Sequence, residues 1–206
     1  MLEKAREALH TGILFRDKRN NSFVENFIDD CAVGNLDKVL EAIGKDIDVN
    51  VIGADDDPPI VVAARTGQVA VVETLIQAGA DVNGRGMGYY SNSTALMACV
   101  GALSQGCGTT FAISEDEKTR LYEVIILLLD KDADVNIRGE DSSTALHSAV
   151  NVAVAIKSDR VVKILLDAGA DVNAKNSRGK SPLDYAKEIK DDELVRLLTN
   201  RQTTKS

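Results

Sequence analysis

Tryptophan is absent from this 206-residue chain, and phenylalanine and tyrosine together supply only 4% of it. A core without large rings rests on Ala, Val, Ile and Leu, the side chains of helices that approach closely. Cysteine is sparse as well. Cys31, Cys99 and Cys107 are odd in number and show no C-x-x-C or C-x-x-H spacing. That argues against a disulfide framework or a zinc site and fits a reducing compartment, cytoplasmic or, for a delivered protein, a host cytosol. Long apolar runs are also missing. The longest, "VIILLL" at 124–129, is six residues, where a bilayer span needs about 20, so no membrane partner is expected. The opening "MLEKAREALHTG" has early charges and no apolar h-region, so no signal peptide is expected.

Positive charge is in deficit, with 24 Lys and Arg against 32 Asp and Glu for a net charge of −8. Residues 1–20 sum to +2, 21–60 to −8, 61–173 to −5 and 174–206 to +3. An acidic body repels phosphate backbones, so no nucleic-acid partner is expected. The acidic first third keeps the chain soluble, or steers a basic partner toward one end.

What the chain does contain is repetition. "AGADVN" stands at 78–83 and again at 168–173, with near copies "DADVN" at 132–136 and "DIDVN" at 46–50. The closing asparagines, Asn50, Asn83, Asn136 and Asn173, are separated by 33, 53 and 37 residues, a base period of 33 with two insertions. Between them recur "PPIVVAA" (58–64), "TALMACV" (94–100), "TALHSAV" (144–150) and "SPLDYAK" (181–187). Each is followed by a second apolar run: "VVETLI" (71–76), "VIILLL" (124–129), "VVKILL" (161–166) and "LVRLL" (194–198). Thr144 predicts a helix cap, and Pro59 and Pro182 predict first helical positions, where a missing N–H costs nothing. Ala63, Ala64, Cys99 and Ala149 are small where two helices must meet. Gly79 and Gly169 predict left-handed helix stops, with Asp132 a departure at the same place. Val82, Val135 and Val172 are expected inside the return of each hairpin.

The series T-P-L-H-x-A-A, V-V-x-L-L, G-A-D-V-N resembles the ankyrin repeat, with five units over about residues 22–200. The resemblance implies an all-α repeat solenoid, in which stacked helix-turn-helix units are joined by β-hairpin-like loops and each unit buries its face against its neighbours. It also implies that the Asp and Asn of each hairpin tie its backbone through side-chain hydrogen bonds. The expected organisation is an N-terminal extension at 1–21, read as a short helix, and one repeat domain at 22–202. The units run about 22–52, 53–85, 86–138, 139–175 and 176–202, the first and last serving as degenerate caps. Residues 203–206 are expected to be a disordered tail.

Two insertions depart from the period. The third unit adds three residues in its hairpin (84–93) and seventeen between its helices (101–120), where Ser114 and Glu117 read as a capping box opening a lengthened second helix. The fourth adds four residues around 151–159, read as a longer first helix. Together these predict a local ridge on the concave side, near the helix ends.

Chemical motifs are weak. "DADVNI" and "DIDVNV" imitate a calcium loop, but from Asp132 the sixth and twelfth positions are Ile137 and Ser143, and from Asp46 they are Val51 and Asp57. "GRGMG" (84–88) lacks the strand and the lysine–serine ending of a phosphate loop. His147 is expected to bond locally to a hairpin, and His10 has no carboxylate or cysteine at a telling spacing. Cys31 and Cys99 fall on core-facing helix positions, and Cys107 lies in the insertion. No catalytic residue, cofactor or metal site is assigned, so the chain is read as a non-enzyme.

Ankyrin proteins generally bind protein partners with hairpin tips and the first-helix surface, and this resemblance implies a non-enzymatic, monomeric interaction module. The candidate contact residues are Asp55, Asp56, Asp57, Arg65, Arg85, Met87, Tyr89, Tyr90, Phe111, Arg138, Glu140 and Asp141. An alternative is an acidic inhibitor or immunity-type regulator that occludes a basic site on a target protein with its acidic first third. Asn83 and Asn173 resemble targets of an asparaginyl hydroxylase.

Overall fold

The computed structural model describes residues 18–53, 56–87, 92–104 and 113–202. Within them lie helices α1 (Lys18–Val33), α2 (Leu36–Ile43), α3 (Pro59–Arg65), α4 (Val69–Gln77), α5 (Ala95–Ala102), α6 (Glu115–Asp130), α7 (Ala145–Ile156), α8 (Arg160–Asp167), α9 (Pro182–Ile189) and α10 (Asp192–Gln202). Two short strands, β1 (Arg85–Gly86) and β2 (Ser93–Thr94), pair antiparallel with Arg85 opposite Thr94. α1 begins at Lys18, so the boundary drawn at residue 21 falls inside a helix.

Most of these helices are too short to persist alone, since isolated helices under about 12 residues are marginal in water. Packing holds them. α3 packs on α1 and α5, α5 on α7, and α7 on α9, forming an inner layer. α2 packs on α4 and α4 on α6 in an outer layer, and every inner helix packs on the outer helix that follows it. The result is an all-α solenoid of stacked pairs. Ala63, Ala64, Ala98, Cys99, Ala149 and Ala186 are fully covered, which lets the inner helices approach. Val39, Leu75, Leu128, Leu165 and Leu198 fill the space between the layers. Val49, Val135 and Val172 are buried in the hairpin returns, whereas Val82 is half-buried.

Local chemistry sets the helix ends. Pro59 and Pro182 occupy the first helical turn. Thr94 Oγ1 accepts from Met97 N at 3.4 Å, and Ser181 Oγ accepts from Asp184 N at 3.2 Å. Gly79 and Gly169 take φ of 93° and 88° just past their helices. Asp132 holds the same left-handed stop at φ 63°, at a cost of about 1 kcal/mol for a residue with a Cβ.

The first unit closes the stack by changing chemistry at fixed register. One period back from Val62, Ala63 and Val71, which are buried, stand Asp29, Asp30 and Lys38. Lys38 Nζ lies 3.5 Å from Asp30 Oδ1, so this end is charged where an internal unit is apolar.

The insertions lengthen helices. Ser114 N donates to Glu117 Oε2 at 2.7 Å and Glu117 N donates to Ser114 Oγ at 3.2 Å. That box opens α6, which has 16 residues where α2, α4 and α8 have 8 or 9. α7 has 12 residues where α3, α5 and α9 have 7 or 8. Each inner helix runs away from its hairpin and each outer helix returns, so the extra turns stand away from the hairpin tips. There the Arg160 guanidinium carbon sits 4.2 Å from the Tyr122 ring centroid, joining α8 to α6 by a cation–π contact.

Candidate partner-binding surface

Each hairpin is built by the same two side chains. Asp48, Asp81, Asp134 and Asp171 accept, through Oδ1, the backbone N–H of the residue two ahead at 2.8–2.9 Å. The asparagine that follows then reaches into the next unit. Asn50 Oδ1 accepts from Asp81 N at 2.7 Å, Asn83 Oδ1 from Asp134 N at 2.8 Å, and Asn136 Oδ1 from Asp171 N at 2.8 Å. Their Nδ2 groups donate to the carbonyls of Gly79, Asp132 and Gly169. The repeated letters therefore set one hairpin against the next.

A second ladder runs nearer the tips. Arg85 Nη1 donates to Asn92 Oδ1 and to Arg138 O, both at 2.8 Å, and Arg138 Nη1 donates to Lys175 O at 2.6 Å. Both arginines were expected as partner contacts. They are exposed, yet their guanidinium groups are engaged in strapping adjacent hairpins. Met87 N donates to Asp56 O at 2.7 Å, and the Met87 side chain is left 61% exposed.

The acidic tip expected at 55–57 is corrected at Asp57. This residue is only 2% exposed, and its Oδ2 accepts from Arg65 Nη1 at 3.1 Å. A Cβ on Gly86 would stand 2.0 Å from Asp57 Oδ1, so the next hairpin crosses directly over the carboxylate. Asp57 is thus held in a structural pair and is not available at the surface, whereas the Arg65 side chain stays 20% exposed. Asp56, itself exposed and at φ 58°, turns the chain just before this buried residue. Asp55, Tyr89, Tyr90 and Phe111 lie outside the described residues, as does Cys107.

A groove of about 520 Å³ opens between the third and fourth units. Met97 and Gly101 of α5 and Ser148 of α7 form its floor, and Gly139, Glu140 and Asp141 of the next hairpin form its rim. Met97 stands three residues after the cap Thr94, the register that His147 occupies after Thr144. Thr144 N donates to His147 Nδ1 at 3.0 Å, so Nε2 carries the proton and donates to Lys180 O at 3.1 Å, tying α7 to the following hairpin. A thioether has no N–H to give. The Met97 side chain stays half-exposed under its hairpin.

Two family models match the chain. One for an ankyrin repeat covers residues 55–86, and one for ankyrin repeats in many copies covers residues 127–186. The chain is an ankyrin repeat protein.

Similar proteins include the ankyrin repeat protein YahD of Escherichia coli, 28% identical over 80% of this chain and 90% of the relative. An ankyrin repeat-containing protein of Treponema pallidum is 29% identical over 95% of this chain and 57% of the relative. A mitochondrial disaggregase of Bos taurus is 30% identical over 82% of this chain and 21% of the relative. The chain thus spans nearly all of the first relative but only part of the others. Ankyrin repeats are in general protein–protein interaction modules and typically not enzymes.

Other chemistry on the ankyrin stack is muted. Among the described residues no three His, Cys, Asp or Glu side chains gather to hold a metal ion, and no helix is long and apolar enough to cross a membrane. Burial pushes the Cys31 thiol up to about 12, with Asp30 adding to the shift, and burial alone raises Cys99 further. Burial lowers the His147 pKa below its usual 6.5, against the opposing pull of the Lys180 carbonyl. Asn83 has both amide atoms engaged by the next hairpin.

Proposed function

We propose that the chain is a non-catalytic protein-binding module whose partner lies against the inner-helix surface and hairpin tips of the third and fourth units. The groove beneath Gly139, Glu140 and Asp141 carries this reading. It opens on a stack whose hairpins are tied by the asparagine and arginine ladders. A surface held in place before binding loses little conformational entropy when a partner docks. The inhibitor reading rests on the acidic first third, from which the commitment of Asp57 to Arg65 withdraws one carboxylate.

Affinity capture with the full chain tests the module reading. Arginine at Met97 and Ser148 fills the groove, whereas arginine at Leu40 and Ile126 alters exposed positions of the outer layer. A partner bound by the wild type and the outer-layer variant, but lost by the groove variant, supports the reading. Loss on the outer-layer variant alone overturns it.

A further inference from the structure

We infer that this groove takes an extended basic peptide segment, with an arginine or lysine stem lying on Met97 and its cationic head between Glu140 and Asp141. The inference rests on the module reading above and deepens it. The floor supplies a thioether and the bare backbone of Gly101, surfaces that suit an aliphatic stem. Of the residues that line the groove, only Glu140 and Asp141 carry charge, both are anionic, and both side chains are exposed.

Asp141 is oriented in advance. Its Oδ1 accepts from Ser143 N and its Oδ2 from Ser143 Oγ, each at 2.9 Å, while its carbonyl accepts from Ser177 N at 2.8 Å. Each carboxylate oxygen keeps acceptor capacity for a second donor. Among the described residues, no cation pairs with Glu140 or Asp141 within salt-bridge distance. The nearest arginine in sequence, Arg138, gives its guanidinium to the Ser142 and Lys175 carbonyls. The rim is therefore an anionic pair that Arg138, directed to carbonyls of its own and the next hairpin, does not bridge, above a floor with apolar surface for the stem of a cation.

A random dodecapeptide library displayed on phage, panned on the full chain and sequenced, tests the inference. Peptides rich in Arg or Lys should be enriched. They should weaken about tenfold on the Glu140→Gln/Asp141→Asn variant, and also as salt rises. Asp141→Asn keeps an oxygen for Ser143 N, and thermal melting checks that the variant is folded. Amide exchange of the wild type with a selected peptide should show protection at 93–101 and 139–148. Enrichment of peptides without basic residues, affinity indifferent to the double variant, or no enrichment overturns the inference. Non-basic peptides that protect those same amides would leave the module reading standing. Protection confined to the outer helices would remove both.

Discussion

Asn83 Oδ1 accepts the backbone N–H of Asp134 at 2.8 Å, across 51 residues of sequence and one unit of the stack. The same bond joins Asn50 to Asp81 and Asn136 to Asp171. A spacing visible in the sequence as a period is thus, in the fold, a chain of contacts fixing the angle between successive hairpins.

Removing one link should loosen one junction. Asn136→Ala deletes the bonds to Asp171 N and Gly169 O. At about 1 kcal/mol for each net hydrogen bond, the loss is about 2 kcal/mol. Urea denaturation should show a lower midpoint, and Asn136→Asp, which keeps the acceptor, should recover part of it.

The Asp57–Arg65 pair predicts a larger effect. Arg65→Met leaves a carboxylate that is 2% exposed without its cation, which should cost about 3 kcal/mol. Gly86→Ala should destabilise the same place by steric conflict with Asp57 Oδ1. Denaturation of both single variants and the double variant should show strong non-additivity, because both act on one carboxylate.

Stability should fall with acid in a defined window. The unfolded chain protonates His147 near 6.5, and burial in the folded state holds its pKa lower. Between the two values the unfolded state binds more protons, so stability rises with pH there. The contribution is complete above about 6.5 and is lost as pH falls toward the folded pKa. Glu117 and Asp184, held below their usual range by the Ser114 and Ser181 N–H groups, stay ionised through this window. Denaturation midpoints at pH 7.5 and 5.5 should differ in the wild type and differ less in His147→Asn.

Cys31 and Cys99 should resist thiol reagents. Both are wholly covered, and burial disfavours their thiolates. In a Cys107→Ser background, labelling by a chromogenic disulfide should be slow in buffer and rapid in denaturant.

Much of the architecture was legible because the features that set it are local or periodic. The Ser114–Glu117 box joins residues three apart, Pro59 and Pro182 mark helix starts, and Gly79 and Gly169 mark stops. The surface was less legible, because its contacts join distant residues. Nothing near Arg85 signals that its acceptor is the carbonyl of Arg138, 53 residues away. Adjacent aspartates look alike in sequence, yet Asp56 is exposed in a left-handed turn while Asp57 is buried in an ion pair. Met97 gave one signal that went unused. It replaces, at the same register, the histidine that ties α7 to its following hairpin, and the groove lies beneath the hairpin that follows α5.

Site-specific photo-crosslinking tests the central claim most directly. A photoreactive residue at Met97, on the groove floor, should form adducts with a bound partner. The same residue at Ile126, exposed on the outer layer, should form none. Adducts from Ile126 with none from Met97 would contradict the assignment of the inner face as the binding surface.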